Sequence, residues 1–196
     1  MYSQSEEEKY ILEYFGDYTG KFLDIGAGDG ITFSNTFALL ERGWSGILVE
    51  PEPRLFLELL THLKDNPKVI LFNVAVSRRG QICQFFRTND FLSTVNRNFA
   101  KALEEKFSFA TYFIRTISIE ELLNFTGFVD FISIDTEGTS VELTLSLPEE
   151  FLKNLKLICV EYNSVVSDFN LVCDFLRKAS FTKLLYKSAE NVLLGK

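Results

Sequence analysis

The chain has 196 residues, 46% hydrophobic and 24% charged, enough to bury one substantial core without disulfides or a structural metal. Its net charge of −7 argues against a nucleic-acid partner, since such binding draws much of its affinity from Lys and Arg meeting phosphates, and a small substrate is expected instead. The three cysteines have no disulfide-framework or zinc spacing, the N-terminus lacks a signal-peptide pattern and no apolar run is long enough to span a bilayer, so a cytoplasmic protein with no membrane partner is expected.

Ser3 or Ser5 with Glu6 or Glu8 three residues later forms a capping-box pattern, and Tyr10, Ile11, Tyr14 and Phe15 recur at helical spacing, so the chain is expected to open with an amphipathic helix. Residues 21–25 read as a buried strand that runs into the glycine-rich turn of Gly26, Gly28 and Gly30. Phe33, Phe37 and Leu40 then lie on one face of a predicted helix that would point its free N–H groups into that turn. A second strand is predicted over 46–50. Pro53 starts the next helix, with Leu55, Leu59 and Leu63 as its apolar stripe, and a third strand follows over 68–74.

This alternation predicts a parallel sheet with covering helices. It lapses between residues 78 and 117, where strands at 81–87 and 111–116 flank a loop and a short helix. That segment is either a lid or insertion over the carboxyl ends of the strands or an antiparallel extension of the sheet. The five arginines there, Arg78, Arg79, Arg87, Arg97 and Arg115, read as solvated side chains. A capped helix at Ser118, a strand over 128–135, a helix carrying Leu143 and Leu147, and a strand over 155–161 restore the pattern. A last helix, striped by Phe169, Val172 and Leu176, precedes two closing strands across a turn at 188–191. The expectation is one domain over 1–196.

The glycines remove the Cβ atoms that would hold a ligand away from the backbone. A nicotinamide or flavin fingerprint, G-x-G-x-x-G/A, would need a small residue where Ile31 stands, which disfavours an oxidoreductase. The pattern present is G-x-G-x-G, with Asp24 upstream and Glu50 at the end of the next strand, where a carboxylate can accept both hydroxyls of a ribose. Asn73 and Ala75, after the third strand, are placed to meet an adenine edge through an amide and a backbone N–H. Asp135 and Glu137 lie at a strand end, where parallel-sheet enzymes bind ligands. They can orient a hydroxyl, take its proton, or hold Mg²⁺. Glu161 is a further rim candidate. His62, the only histidine, reads as structural, on a surface helix far from every strand end.

These motifs resemble, in order, those of the FkbM-type family of class I S-adenosylmethionine-dependent methyltransferases. They are Ser3-Gln4, Phe22-Leu-Asp-Ile-Gly-Ala-Gly-Asp-Gly30, Leu48-Val-Glu-Pro51, Asn73-Val-Ala-Val-Ser77, Thr116-Ile-Ser-Ile-Glu120 and Asp130-Phe-Ile-Ser-Ile-Asp-Thr-Glu-Gly138. The resemblance implies an α/β, Rossmann-like fold with a seven-stranded, mostly parallel sheet, helices on both faces and an antiparallel last strand. It implies S-adenosylmethionine held by Asp24, Gly26, Ala27, Gly28, Gly30, Glu50, Pro51, Asn73 and Ala75. It also implies methyl transfer to a hydroxyl of a sugar or other small natural product, a small-molecule or glycan acceptor, with Asp135 and Glu137 as catalytic candidates. Asp29 stands where that family often has Asn, and 87–111 matches none of its motifs, so the acceptor's identity does not carry over. A catalytically silent module that uses the same fold to bind a ligand or partner is the alternative.

Overall fold

A computed structural model describes residues 1–196. The first helix, α1 (Glu7–Phe15), buries Ile11 and Phe15, but its start is not the expected capping box. Glu6 is the N-cap and makes no side-chain cap bond. Instead Ser3 Oγ accepts from the N–H of Glu8, five residues on, at 3.2 Å, which folds residues 1–6 back over the helix start.

Strand β1 (Lys21–Ile25) alternates as its pleat requires: Leu23 and Ile25 join one core cluster, Phe22 the opposite one. Helix α2 (Phe37–Glu41) is only five residues long and does not begin at the glycine turn. The predicted helix fails there because the Asp29 carboxylate accepts from the N–H groups of Ile31 and Thr32 at 2.9 and 2.7 Å, a local alternative to helical bonding. Phe33 is left exposed with φ 59°.

β2 (Ser45–Val49) leads through Glu50 to α3 (Pro53–Leu63), whose N-cap Glu52 accepts from the N–H of Leu55 at 2.8 Å. Leu55, Leu59 and Leu63 are its buried residues, as the apolar stripe predicts. β3 (Val69–Phe72) is shorter than the expected strand. The chain leaves the sheet at Asn73, and β4 (Ala75–Ser77) joins another one.

β5 (Ile82–Arg87), α4 (Arg97–Leu103) and β6 (Ala110–Ser118) complete that second, three-stranded sheet in the order β4-β6-β5, with β5 and β6 antiparallel. The segment is therefore not an extension of the main sheet. Helix α5 (Ile119–Thr126) opens on the capping box of Ser118 and Glu121. β7 (Phe131–Ile134), α6 (Ser140–Leu145), α7 (Glu149–Asn154), β8 (Leu157–Glu161), α8 (Val166–Lys178), β9 (Lys183–Lys187) and β10 (Asn191–Gly195) finish the chain.

The main sheet has seven strands in the order β3-β2-β1-β7-β8-β10-β9; β10 runs antiparallel to both neighbours. A core cluster covers each face. One includes Ile132, Leu143, Val172 and Leu176. The other includes Ile11, Leu39, Leu59 and the fully buried Trp44. Each large apolar side chain buried this way contributes about 1.5–3 kcal/mol before entropy is counted. The parallel arrangement places the ends of β1, β2, β7 and β8 along one edge.

Candidate functional site

Along that edge the chain encloses a cavity of about 490 Å³. Its first wall is the glycine turn. Gly26, Gly28 and Gly30 all have positive φ, but they answer different needs. A Cβ on Gly26 would lie 1.5 Å from the Asp135 carbonyl oxygen, so this glycine lets the ends of β1 and β7 meet. A Cβ on Gly30 would press on Leu59, and Gly30 is absent from the cavity wall, turned toward the α3 side of the core. Gly28 does face the cavity, and a Cβ there would lie 2.9 Å from the Phe91 ring.

Glu50, just past β2, is buried, and its carboxylate accepts from the N–H of Gly28 at 2.9 Å and that of Glu52 at 2.7 Å. Burial pushes its pKa up to about 8, against the pull of those two N–H groups. Asp24 accepts from Thr36 Oγ1 at 2.7 Å, and burial raises it to about 6. Ala27, Pro51 and Ala75 also line the cavity. Asn73 does not. Its amide donates to the Glu50 and Pro51 carbonyls at 2.8 and 3.3 Å and braces the Glu50 loop.

The opposite wall is the turn after β7. The Asp135 N–H donates to Ile25 at 2.9 Å, and Glu137 holds φ 52°, sparsely populated for a residue with a Cβ. Oxygens of Asp135, Glu137 and Glu161 lie within 4.8 Å of one another, close enough for a single cation to touch all three. Ser140 Oγ donates to Glu161 at 2.6 Å. Burial first, then the charge of Glu161, raises Asp135 well above the carboxylate range and Glu137 to about 9. Asp135 and Glu137 therefore favour their protonated forms near neutral pH.

Residues between β5 and α4 form the third wall. Thr94 Oγ1 donates to the Glu137 carbonyl at 2.7 Å, Asn96 Nδ2 to that of Gly138 at 2.6 Å, and Phe91 meets Phe33 edge-on at 5.8 Å. None of these three residues was singled out from the sequence, because this segment carries no motif and its partners are distant in the chain. Asp90 and Glu190 add two carboxylates to the wall, for a total of seven with Asp24, Glu50, Asp135, Glu137 and Glu161, and no Lys, Arg or His lines it. His62 is closer to the site than expected: its Nδ1 pairs with the Asp29 carbonyl at 2.8 Å, behind the glycine turn.

The family model of the methyltransferase FkbM domain matches residues 24–183. Comparison with curated protein sequences gives no significant match. Among solved structures, the fold is similar to a precorrin-6y C5,15-methyltransferase from Geobacter metallireducens GS-15, with TM-score 0.53 and 13% identity over 96% of this chain and 86% of that one. It is also similar to a ribosomal protein L11 methylase from Lactobacillus delbrueckii subsp. bulgaricus, with TM-score 0.54 and 9% identity over 97% and 77%. A methyltransferase from Pyrococcus furiosus gives TM-score 0.50 and 13% identity over 96% and 81%. At these identities the likeness establishes the Rossmann-like fold alone. No helix is long and apolar enough to cross a membrane.

Proposed function

Because the chain belongs to the FkbM-domain methyltransferase family, we propose that it transfers a methyl group from S-adenosylmethionine to a hydroxyl oxygen of a sugar or other small natural product. One observation carries this reading. Glu50 and Gly28 form one wall of a cavity whose opposite wall is the carboxylate trio of Asp135, Glu137 and Glu161.

The cofactor fits on three counts. About 490 Å³ lies within the range of small-molecule sites. A carboxylate has about four acceptor positions; Glu50 spends two on backbone N–H groups and keeps the rest for ribose hydroxyls. Seven carboxylates and no basic side chain suit a ligand with a sulfonium and an ammonium charge. When bound, S-adenosylmethionine supplies a methyl group already activated by its positive sulfur.

The protein's part is alignment and proton transfer. Glu50 and the Gly28 backbone fix the nucleoside, and Asp24 faces the cationic end. Asp135, Glu137 and Glu161 hold the acceptor hydroxyl. As its oxygen bonds to the methyl carbon and the carbon–sulfur bond breaks, one of these carboxylates takes the hydroxyl proton. A nearby cation favours the ionised carboxylate that this step needs. Most of the rate comes from holding oxygen, carbon and sulfur in line. The segment between β5 and α4 acts as the lid of a single domain. An anionic wall disfavours nucleic acid in the site, and three free thiols suit a cytoplasmic setting.

Calorimetry with S-adenosylhomocysteine tests the cofactor assignment. Wild type is expected to bind, with affinity at least tenfold weaker in Glu50→Ala; absence of binding, or binding undiminished in that variant, overturns it. Profiling which metabolite gains a methyl group on expression then identifies the acceptor.

A further inference from the structure

A ligand that brings an α-carboxylate into this cavity meets seven carboxylates and no Lys, Arg or His. Uncharged donors must hold it. The side-chain amides in the wall belong to Gln4, Asn35 and Asn163. Asn35 spends its Nδ2 on Ser133 Oγ at 3.3 Å and Cys159 Sγ at 3.7 Å, both buried. Asn163 sits two residues beyond Glu161, and its N–H donates to the Glu190 carbonyl at 3.3 Å, so it belongs to the acceptor side of the wall beside Glu161 and Glu190. Gln4 is exposed to the cavity, and its amide takes part in none of the side-chain hydrogen bonds around the site.

Residues 1–6 are pinned against the site. Ser3 is buried and forms a parallel bridge with Phe33, just past the glycine turn. Tyr2 packs edge-on against Phe37 at 4.6 Å, and its hydroxyl donates to Glu41 at 3.1 Å. The bridge fixes Gln4 beside residues 32–34, which line the cavity with it.

We propose that Gln4 donates its side-chain amide to the α-carboxylate at the amino-acid end of S-adenosylmethionine, so that the N-terminal segment completes the cofactor site. This rests on the cofactor reading above. A neutral amide is the donor that such a wall tolerates: a Lys or Arg in its place would pair with the neighbouring carboxylates and forfeit the cationic selectivity of the cavity.

Two probes that differ only at the amino-acid end decide it. Calorimetry on the full chain compares S-adenosylhomocysteine with 5′-methylthioadenosine, which lacks that end. In Gln4→Ala, S-adenosylhomocysteine is expected to bind roughly tenfold more weakly, the loss of one hydrogen bond to a charged group, with 5′-methylthioadenosine within twofold of wild type. Gln4→Glu, which sets a carboxylate against a carboxylate, should weaken S-adenosylhomocysteine further and again spare the truncated probe. Equal losses for both probes would show a packing role only, and unchanged S-adenosylhomocysteine affinity would remove the contact; either overturns the proposal while the cofactor reading stands. Failure of wild type to bind either probe overturns both.

Discussion

Thr94 Oγ1 lies 2.7 Å from the Glu137 carbonyl and donates to it across 43 residues of sequence, fixing a turn whose backbone is not in a relaxed conformation. Thr94 is buried, and the same oxygen accepts from the Asn96 N–H at 2.8 Å. Thr94→Val keeps the shape and removes both bonds. The expected loss is about 1–3 kcal/mol in urea unfolding, because the carbonyl and the N–H are left without partners. Methyl transfer should slow more than S-adenosylhomocysteine binding weakens, since the turn carries the acceptor-side carboxylates, and Thr94→Ser should restore both. Equal effects on the two readouts would assign Thr94 to packing alone.

Two glycines of the turn, Gly26 and Gly28, should separate on substitution. Gly26→Ala forces a Cβ into the Asp135 backbone and is expected to abolish folding or cost more than about 3 kcal/mol. Gly28→Ala meets the edge of the Phe91 ring, which can shift, and costs about 1–2 kcal/mol, mostly for its φ of 57°. Thermal melts rank the two, and S-adenosylhomocysteine calorimetry on folded Gly28→Ala reports whether the close approach matters to the ligand.

Much of this was legible in the chain, and the rest was not for identifiable reasons. Leu55, Leu59 and Leu63 mark a buried stripe because helix period and apolar spacing coincide, and the strands of the main sheet show as apolar runs bounded by Gly and Pro. The position of Glu50 at the cavity was legible because it ends a strand beside a glycine turn. The helix expected from Phe33 was lost to Asp29, whose short side chain competes for the same N–H groups that a helix would use. The reason for Gly26 lies in Asp135, more than a hundred residues away, and no local pattern announces it. The wall at Thr94 and its brace at Asn96 were invisible because ordinary polar residues acquire a role there only through distant carbonyls.

Stability should fall as the pH rises through neutrality. Asp24, Glu50 and Glu137 have folded pKa values of about 6, 8 and 9, above the ordinary carboxylate range, so the folded chain holds protons that the unfolded chain releases. Their contribution is complete below about pH 4 and is lost as the pH climbs through those values. The melting midpoint is expected to drop by at least about 5 °C between pH 5.5 and 9. Glu137→Gln, neutral throughout, should remove part of that slope. Asp130, held low by Lys156 at 2.8 Å and by the Lys21 N–H at 3.0 Å, works in the opposite sense, and its contribution is lost only in acid. A midpoint flat or rising from pH 5.5 to 9 would contradict the assignment.

The charge of the wall should select acceptors. At an effective dielectric constant of about 20, two like charges about 5 Å apart repel by about 3 kcal/mol, and a phosphate drawn into the trio would face that repulsion from each member that gives up its proton to serve as base. Phosphorylation of an otherwise good acceptor is therefore expected to lower kcat/KM by at least about 100-fold at low salt, measured as transfer of a labelled methyl group to matched pairs of neutral and phosphorylated sugars. Partial recovery of the phosphorylated acceptor in Glu137→Gln above about pH 9, where Glu137 has given up its proton, would tie the effect to this turn rather than to size. Added salt should narrow the gap only modestly, because these groups are half-buried or buried and poorly screened. Equal rates for the two members of each pair would place the acceptor's phosphate outside the cavity and refute selection by charge.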